Sequence, residues 1–362
     1  MTTSTQTPPT LTRAAFGTMP GGEAVEAVTL ANGTMAVTVI TYGAGIQAVQ
    51  VPDRAGQFAY VALGHDNIAP YLDQPQYIGS TVGRVANRIA GGRFVFDSRE
   101  YHVPVNNGPN SLHGGTTGFD KVNWRILATS IEPEPSVTLG HVSPDGDQGY
   151  PGTLHVTATY TLAGSTLSVA YRAVCDAPTL VNITNHAYWN LAGEGAEEGA
   201  MGHLLLVPAD HYLPTDATAI PTGELRSVAD TPFDFRQPRR VGERVRAADN
   251  EQIRFGHGYD HNWVVAHDVA DAPRLLARLV HPASGRTMEL HSNQPGLQFY
   301  SGNFLDGTSF GKAGRLYRMG DAVVLEPQMF PDTPNRPEFG SLRLQPGEVY
   351  HNIIEFRFGM AD

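Results

Sequence analysis

Apolar and polar residues alternate with a period of two along several segments of this chain. In residues 154–162 (LHVTATYTL) every second side chain is apolar, and the same period resumes at 167–171 after a break at Ala163 and Gly164. A period of two places successive side chains on opposite faces of a strand. The segment therefore predicts a hairpin with one buried face and one solvated face.

The same pattern recurs at residues 35–42, 286–291 and 350–358. With 39 glycines and 26 prolines in 362 residues, no long helical period develops between these segments. All-β domains often exceed the usual length of one domain. The sequence therefore predicts a mainly antiparallel β fold in a single domain at 14–362. Residues 1–13 lack a basic start and an apolar run, so they predict a disordered tail rather than a secretory signal.

The charge and cysteine content limit the partners and the compartment. The net charge is −11, which disfavours nucleic acid and anionic lipid as partners. No run approaches the roughly 18 apolar residues of a membrane span. Cys175 is the only cysteine, so an internal disulfide is impossible and a reducing compartment fits. We expect a cytoplasmic monomer or homodimer that acts on a neutral small molecule.

Two histidines and one glutamate lie in segments rich in small and amide side chains. His113 lies in NSLHGG, His186 in NITNHAYWN and Glu326 in LEPQ. Glycine allows the backbone to approach a ligand, while amide, hydroxyl and aromatic groups suit a sugar. An imidazole and a carboxylate can serve as acid and base at neutral pH. The three segments predict acid/base chemistry on a polyhydroxy ligand.

Cofactor and metal motifs are weak in this sequence. The acidic segment 193–199 (GEGAEEG) departs from the dinucleotide fingerprint because Glu198 replaces a glycine, and we interpret it as a solvated loop. The 14 histidines show no convincing metal-ligand spacing. We therefore expect neither a cofactor nor a metal.

Seven segments, in order along the chain, resemble those of the aldose 1-epimerases, also called galactose mutarotases. They are 83–90 (GRVANRIA), 111–115 (SLHGG), 149–152 (GYPG), 184–193 (TNHAYWNLAG), 258–261 (GYDH), 295–303 (PGLQFYSGN) and 325–332 (LEPQMFPD). The likeness extends from about Phe16 to the C-terminus. It implies a large twisted antiparallel β-sandwich, the galactose mutarotase-like supersandwich, with an open sugar-binding cleft on one sheet.

The resemblance also implies a reaction and a role for each matching residue. Members of this family interconvert the α and β anomers of free aldoses such as glucose, galactose or xylose by opening and closing the ring. Glu326 would be the base at the anomeric hydroxyl and His186 the acid at the ring oxygen, while His113 would assist or orient the substrate. The residues that would hold sugar hydroxyls are Asn87, Arg88, Asp260 and Gln298.

The sequence leaves other functions open. A hexose-6-phosphate 1-epimerase would need a basic cluster, and residues 236–240 (RQPRR) are the compact candidate. A sugar-binding module would keep Arg88 and Asp260 without needing His186 or Glu326. A glycosidase could use Asp260 as a second carboxylate, whereas the elbow of a serine hydrolase is missing from the sequence. The preferred sugar does not follow from the sequence.

Overall fold

The computed structural model describes residues 8–73 and 76–361, and short or medium strands dominate it. In chain order the strands are β1 Thr10–Thr18, β2 Ala24–Ala31, β3 Ala36–Ile40, β4 Gly45–Pro52, β5 Phe58–Tyr60, β6 Thr81–Val82, β7 Arg88–Ile89, β8 Arg93–Phe96, β9 Arg99–His102, β10 Ser111–Leu112, β11 Arg125–Ser130, β12 Ser136–Ser143, β13 Leu154–Ala163, β14 Thr166–Cys175, β15 Thr179–Leu180, β16 Thr184–Asn185, β17 Tyr188–Trp189, β18 Leu204–Leu206, β19 His211–Leu213, β20 Arg226–Ser227, β21 Arg239–Arg240, β22 Asp260–Val264, β23 Arg274–Val280, β24 Arg286–Ser292, β25 Gly296–Tyr300, β26 Asp306–Phe310, β27 Leu316–Arg318, β28 Val323–Gln328, β29 Arg343–Leu344 and β30 Tyr350–Met360. The α-helices in the described residues are α1 Ala69–Asp73 and α2 Glu251–Gly256.

Three antiparallel sheets form the framework. The largest has the order β11-β12-β13-β14-β30-β24-β23-β18-β21, the second β17-β28-β25-β22-β19-β20, and the third β1 to β5. Apolar side chains of the first two sheets belong to one buried cluster. Trp189 of β17 contacts Phe356 of β30 with ring centres 4.6 Å apart, so the two sheets pack face to face. The predicted antiparallel β fold is confirmed.

The period-two segments fold as predicted. β13 and β14 pair along their whole length, and buried and more exposed residues alternate along β13. In β30 the side chains of Asn352, Ile354 and Phe356 are buried on one face. The alternation therefore identified both the strands and the face that each strand buries.

Part of the predicted N-terminal tail is a strand. Residues 1–7 lie outside the described residues, but β1 begins at Thr10 and pairs with β2. The Arg13 side chain forms an ion pair with Glu26 of β2 at 2.8 Å. The prediction of disorder is therefore wrong for residues 10–13, which gain order from a partner strand that local sequence does not reveal. The single-domain organisation stays a prediction.

The acidic loop at 193–199 is not uniformly solvated. The Glu194 side chain is 4% exposed and forms a salt bridge with Lys312 Nζ at 2.7 Å. The Tyr317 hydroxyl also donates to this carboxylate. Glu197 and Glu198 are exposed, as expected. The solvated-loop interpretation is therefore wrong for Glu194, because its cationic partner lies far away in sequence.

No helix among the described residues combines the length and apolarity needed to cross a bilayer. The cytoplasmic location and the oligomeric state stay predictions.

Candidate active site

A pocket of about 200 Å³ lies over the polar face of the six-stranded sheet. It is lined by Gln76, Tyr77, Asn87, Arg88, Asn107, Leu112, His113, His186, Tyr188, Asp260, Tyr300, Phe304 and Glu326. The structure thus brings together six of the seven residues that the sequence predicts for the site. Gln298 is not among the lining residues, but its Nε2 donates to Asp260 Oδ1 at 2.8 Å.

The central strands of this sheet set the floor of the pocket. Glu326 of β28 lies opposite Gln298 of β25, and Tyr300 of β25 lies opposite Asp260 of β22. Residues that face each other across an antiparallel pair project from the same side of the sheet. The intervening residue Phe299 projects from the other side into the core. Strand alternation therefore separates the polar floor from the apolar core.

His113 is held by a two-stranded ribbon of β7 and β10, in which Leu112 lies opposite Arg88. Its backbone N–H donates to Asn87 O at 3.0 Å, and the Asn87 N–H donates to His113 Nδ1 at 3.1 Å. Because Nδ1 accepts a hydrogen bond, the proton of the neutral ring lies on Nε2. His113 is therefore a hydrogen-bond donor at Nε2.

Backbone conformation at this ribbon is unusual. Asn87 and His113 have φ of 63° and 52°, a region that non-glycine residues rarely adopt. Gly114 follows with φ of 90°, and a Cβ there would lie 2.0 Å from the carbonyl oxygen of Gly83. Glycine at position 114 is thus required by the close approach of the Gly83 backbone.

His186 lies just after β16, and its backbone forms hydrogen bonds with two adjacent residues of a neighbouring loop. Its N–H donates to Ser80 O at 2.8 Å, while its carbonyl accepts from Gly79 N at 3.0 Å. The His186 ring contacts Tyr188 and His113, with ring centres 5.2 and 5.3 Å apart. Its Nε2 lies 3.8 Å from Oε1 of Glu326. The proposed acid and base are therefore neighbours.

Burial favours the uncharged form of both groups. The side chains of His186 and Glu326 are 7% and 3% exposed. Desolvation lowers the pKa of His186 to about 4. Desolvation, with a smaller effect of the Asp260 charge, raises the pKa of Glu326 well above its ordinary value, and Arg88 opposes this increase. Burial therefore favours neutral His186 with protonated Glu326 over the pair of charges, and the pair holds one proton in both forms.

Arg88 and Asp260 form a second polar cluster in the pocket. Their side chains approach to 3.5 Å and are mostly buried. Asn107 Oδ1 accepts from Arg88 Nε at 3.0 Å, and Gln298 holds the other oxygen of Asp260. Asn107 and Gln298 therefore fix the guanidinium and the carboxylate, which can donate to and accept from sugar hydroxyls.

The acid/base side chains do not fit a metal ion. Ligand atoms of His113, His186 and Glu326 lie within 4.8 Å of one another, a spacing that a metal could span. A ligating histidine normally donates its other ring N–H to an acceptor. In His113 the arrangement is reversed, because Nδ1 accepts from Asn87 and Nε2 carries the proton. The site is therefore better suited to proton transfer than to metal coordination.

Several lining residues were missed in the sequence. Tyr300 lies two residues beyond Gln298 in an alternating segment, so the period of two could have identified it. Tyr188 lines the pocket, whereas its neighbour Trp189 packs in the core and does not contact the site. Tyr77, 4.7 Å from the His113 ring centre, and Asn107 lie in segments with no distinguishing pattern.

Two other candidate regions lie elsewhere. A larger pocket of about 540 Å³ lies on the outer face of β11 to β14 and contains none of the predicted site residues. In the basic segment 236–240, Arg236 pairs with Asp210 and Asp234, and Arg239 pairs with Glu243. These arginines are engaged in surface ion pairs and do not line the pocket.

Comparison with known proteins identifies the family and the fold of this chain. The family model described as aldose 1-epimerase matches residues 26–357. The chain belongs to the aldose 1-epimerase family. Galactose mutarotase of Rattus norvegicus is 45% identical over 97% of this chain and 99% of its own, and aldose 1-epimerase of Escherichia coli is 36% identical over 94% and 96%. The crystal structure of galactose 1-epimerase from Lactobacillus acidophilus covers 98% of this chain and 99% of its own, with a TM-score of 0.85 and 28% identity. The predicted family and its β-sandwich fold are confirmed.

Proposed function

We propose that this protein catalyses mutarotation of free aldoses, with Glu326 and His186 as the acid/base pair. The observation that carries the proposal is the 3.8 Å approach of Glu326 Oε1 to His186 Nε2 in a pocket that also holds Arg88 and Asp260. The names of the rat and Escherichia coli relatives support the same activity.

Ring opening requires two proton transfers. The Glu326 carboxylate removes the proton from the anomeric hydroxyl, and the C1–O5 bond breaks as the aldehyde C=O forms. Protonated His186 gives its proton to O5. Rotation about C1–C2 then presents the other face of the aldehyde, and both transfers run in reverse. The open-chain sugar is thus accompanied by neutral Glu326 and neutral His186.

The shared proton explains why burial of this pair suits the reaction. The cyclic sugar reacts with the charged form of the pair, and the open-chain aldehyde with the neutral form. Both forms contain one proton, so no exchange with solvent is needed between opening and closing. Burial favours the neutral form, while the Arg88 charge favours ionised Glu326. These opposing effects bring the two forms closer in free energy, which speeds transfer in both directions.

His113 has a supporting role in this scheme. Burial first, and then the charges of His186 and Arg88, hold its pKa well below the ordinary value. It therefore remains neutral, with its proton on Nε2. A neutral donor beside His186 can hold the ring oxygen without competing for the shared proton. We assign Asn87, Arg88 and Asp260 to the sugar hydroxyls, with Gln298 holding Asp260 in place.

A phosphorylated hexose is a poorer fit to the pocket. Arg88 is the one arginine among the lining residues, and it is already paired with Asp260. Arg236 and Arg239 of the basic segment are engaged in ion pairs away from the pocket. A binding module also fits poorly, because a buried acid/base pair costs free energy that sugar binding alone does not need.

Polarimetry with matched sugars tests the substrate class. Freshly dissolved α-D-glucose, α-D-galactose and α-D-xylose are compared with α-D-glucose 6-phosphate, each corrected for its spontaneous rate. We expect acceleration of the free sugars and at least tenfold lower kcat/KM for the phosphate. A preference for the phosphate would contradict the assignment to free aldoses.

A further inference from the structure

Strand β19 ends before it reaches Asp260. It pairs with β22 at His211–Val264, Tyr212–Trp263 and Leu213–Asn262. Continued by two residues, this register would place Thr215 opposite Asp260. Instead the chain turns away at Pro214, and Thr215 forms a bridge with Pro221. The Asp260 backbone therefore lies beyond the end of its neighbouring strand.

Two buried side chains occupy the space beside Asp260 that β19 does not reach. The Gln252 amide accepts from Thr215 N at 2.7 Å and donates to Thr215 O at 2.9 Å, as a paired strand would. His261 Nδ1 accepts the Asp260 N–H at 3.1 Å, and its Nε2 lies 3.2 Å from Gln252 Oε1. Since Nδ1 accepts, Nε2 carries the proton and donates to Gln252. His261 and Gln252 thus replace the missing pairing between Thr215 and Asp260.

This connection is buried and lies outside the pocket. His261 and Gln252 are 1% and 2% exposed, and neither lines the pocket. The His261 ring packs edge-on against Phe233 at 4.8 Å between ring centres. A Cβ on Gly256 would lie 3.2 Å from His261 Cε1, so helix α2 also confines the ring. The acceptor for the Asp260 N–H is therefore fixed in position.

We propose that His261 is a positioning residue that acts on sugar binding through Asp260. The inference rests on the proposed function, because it assumes that Asp260 holds a sugar hydroxyl. The imidazole fixes the backbone of Asp260, so that its carboxylate meets Gln298 at 2.8 Å and Arg88 at 3.5 Å. Loss of the acceptor leaves a partly buried N–H unpaired and lets the carboxylate shift. Sugar binding then weakens, while the Glu326–His186 pair is unchanged.

Two substitutions at His261 distinguish the roles of its two ring nitrogens. An asparagine amide oxygen lies near the position of Nδ1, so His261→Asn keeps an acceptor for Asp260. A glutamine amide lies near the position of Nε2, so His261→Gln loses that acceptor. We expect His261→Gln to raise KM for D-galactose about tenfold with kcat within about twofold of wild type. His261→Asn should restore most of the loss in KM.

His203 provides a matched control. It is also buried, and its Nε2 accepts the Leu191 N–H at 2.8 Å, but it does not line the pocket. His203→Asn should lower the thermal midpoint and leave KM unchanged. In an Asp260→Asn background, His261→Gln should change KM less than about twofold, because the group through which it acts is already altered.

Any of three results would overturn the inference. The first is an equal change in KM for His261→Gln and His203→Asn, and the second is an equal change in KM for the two His261 variants. The third is a double variant in which the separate effects of His261→Gln and Asp260→Asn on KM multiply. If His261→Gln does not fold, Gln252→Met removes the acceptor for His261 Nε2 and should raise KM in the same way. If the wild type fails to accelerate mutarotation, the proposed function is wrong, and the Kd for D-galactose from calorimetry tests the positioning role independently.

Discussion

The pH dependence of the rate tests whether His186 and Glu326 share one proton. With ordinary pKa values of about 6.5 and 4.3, the reactive form with ionised Glu326 and protonated His186 would dominate at pH 5.5. At pH 7.5 only about 9% of His186 would be protonated. An ordinary, solvated pair would therefore lose about tenfold in kcat/KM between these two pH values.

The buried pair predicts a different profile. Burial lowers the pKa of His186 to about 4 and raises that of Glu326 well above its usual value. Between these limits the pair keeps one proton, and the balance of its two forms does not depend on pH. Below about pH 4 a second proton arrives and the base is lost. Above the raised pKa of Glu326 the only proton leaves and the acid is lost. We expect a bell-shaped profile whose acidic limb lies near pH 4, at the lowered pKa of His186, and whose alkaline limb lies at the raised pKa of Glu326.

The assay is polarimetry at constant ionic strength, with the spontaneous rate subtracted at each pH. Asp120 needs a control, because burial raises its pKa to about 6 and it lines a small cavity together with Tyr77. Asp120→Asn removes that titration and should leave both limbs of the profile in place. An alkaline limb at the ordinary histidine pKa of about 6.5 in both proteins would refute the shared-proton account.

Three further predictions concern individual side chains. His113→Asn keeps an acceptor for the Asn87 N–H but removes the Nε2 donor, so kcat should fall about 10²-fold with little change in thermal midpoint; full activity in stopped-flow polarimetry would exclude this donor role. Arg88→Ala should raise KM for D-glucose at least tenfold, because it removes the cation that faces Asp260; an unchanged KM would place the sugar elsewhere. Lys312→Met leaves the buried Glu194 carboxylate without its cationic partner and should lower the free energy of unfolding in urea by about 3–5 kcal/mol. The exposed Arg239–Glu243 pair is its control, and Arg239→Ala should cost less than about 1 kcal/mol; equal costs would contradict the burial argument.

Much of the framework could be predicted from the sequence because its strands are long and amphipathic. β13, β14 and β30 each show a clear period of two, and each buries the face that the pattern indicates. The six-stranded sheet beneath the site is different. Its strands have two to six residues and come from widely separated parts of the chain, so their pairing depends on tertiary contacts rather than local pattern.

The active site, too, could be predicted only in part. His113, His186 and Glu326 were identified because their segments carry unusual combinations of residues. Their proton states could not be predicted, since the His113 tautomer depends on the Asn87 N–H and the proton of the buried pair depends on desolvation. The burial of Glu194 was missed for a similar reason, because Lys312 lies 118 residues away in the chain.

The most direct test of the central claim is the mutarotation rate of α-D-galactose with wild-type protein and with Glu326→Gln, at matched concentration and with folding checked by circular dichroism. The glutamine keeps the size of Glu326 but can neither accept nor carry the shared proton. We predict that the wild type accelerates mutarotation and that Glu326→Gln loses about 10²- to 10⁴-fold in kcat, the range expected for a positioned acid or base. A folded Glu326→Gln protein with the full wild-type rate would contradict the account.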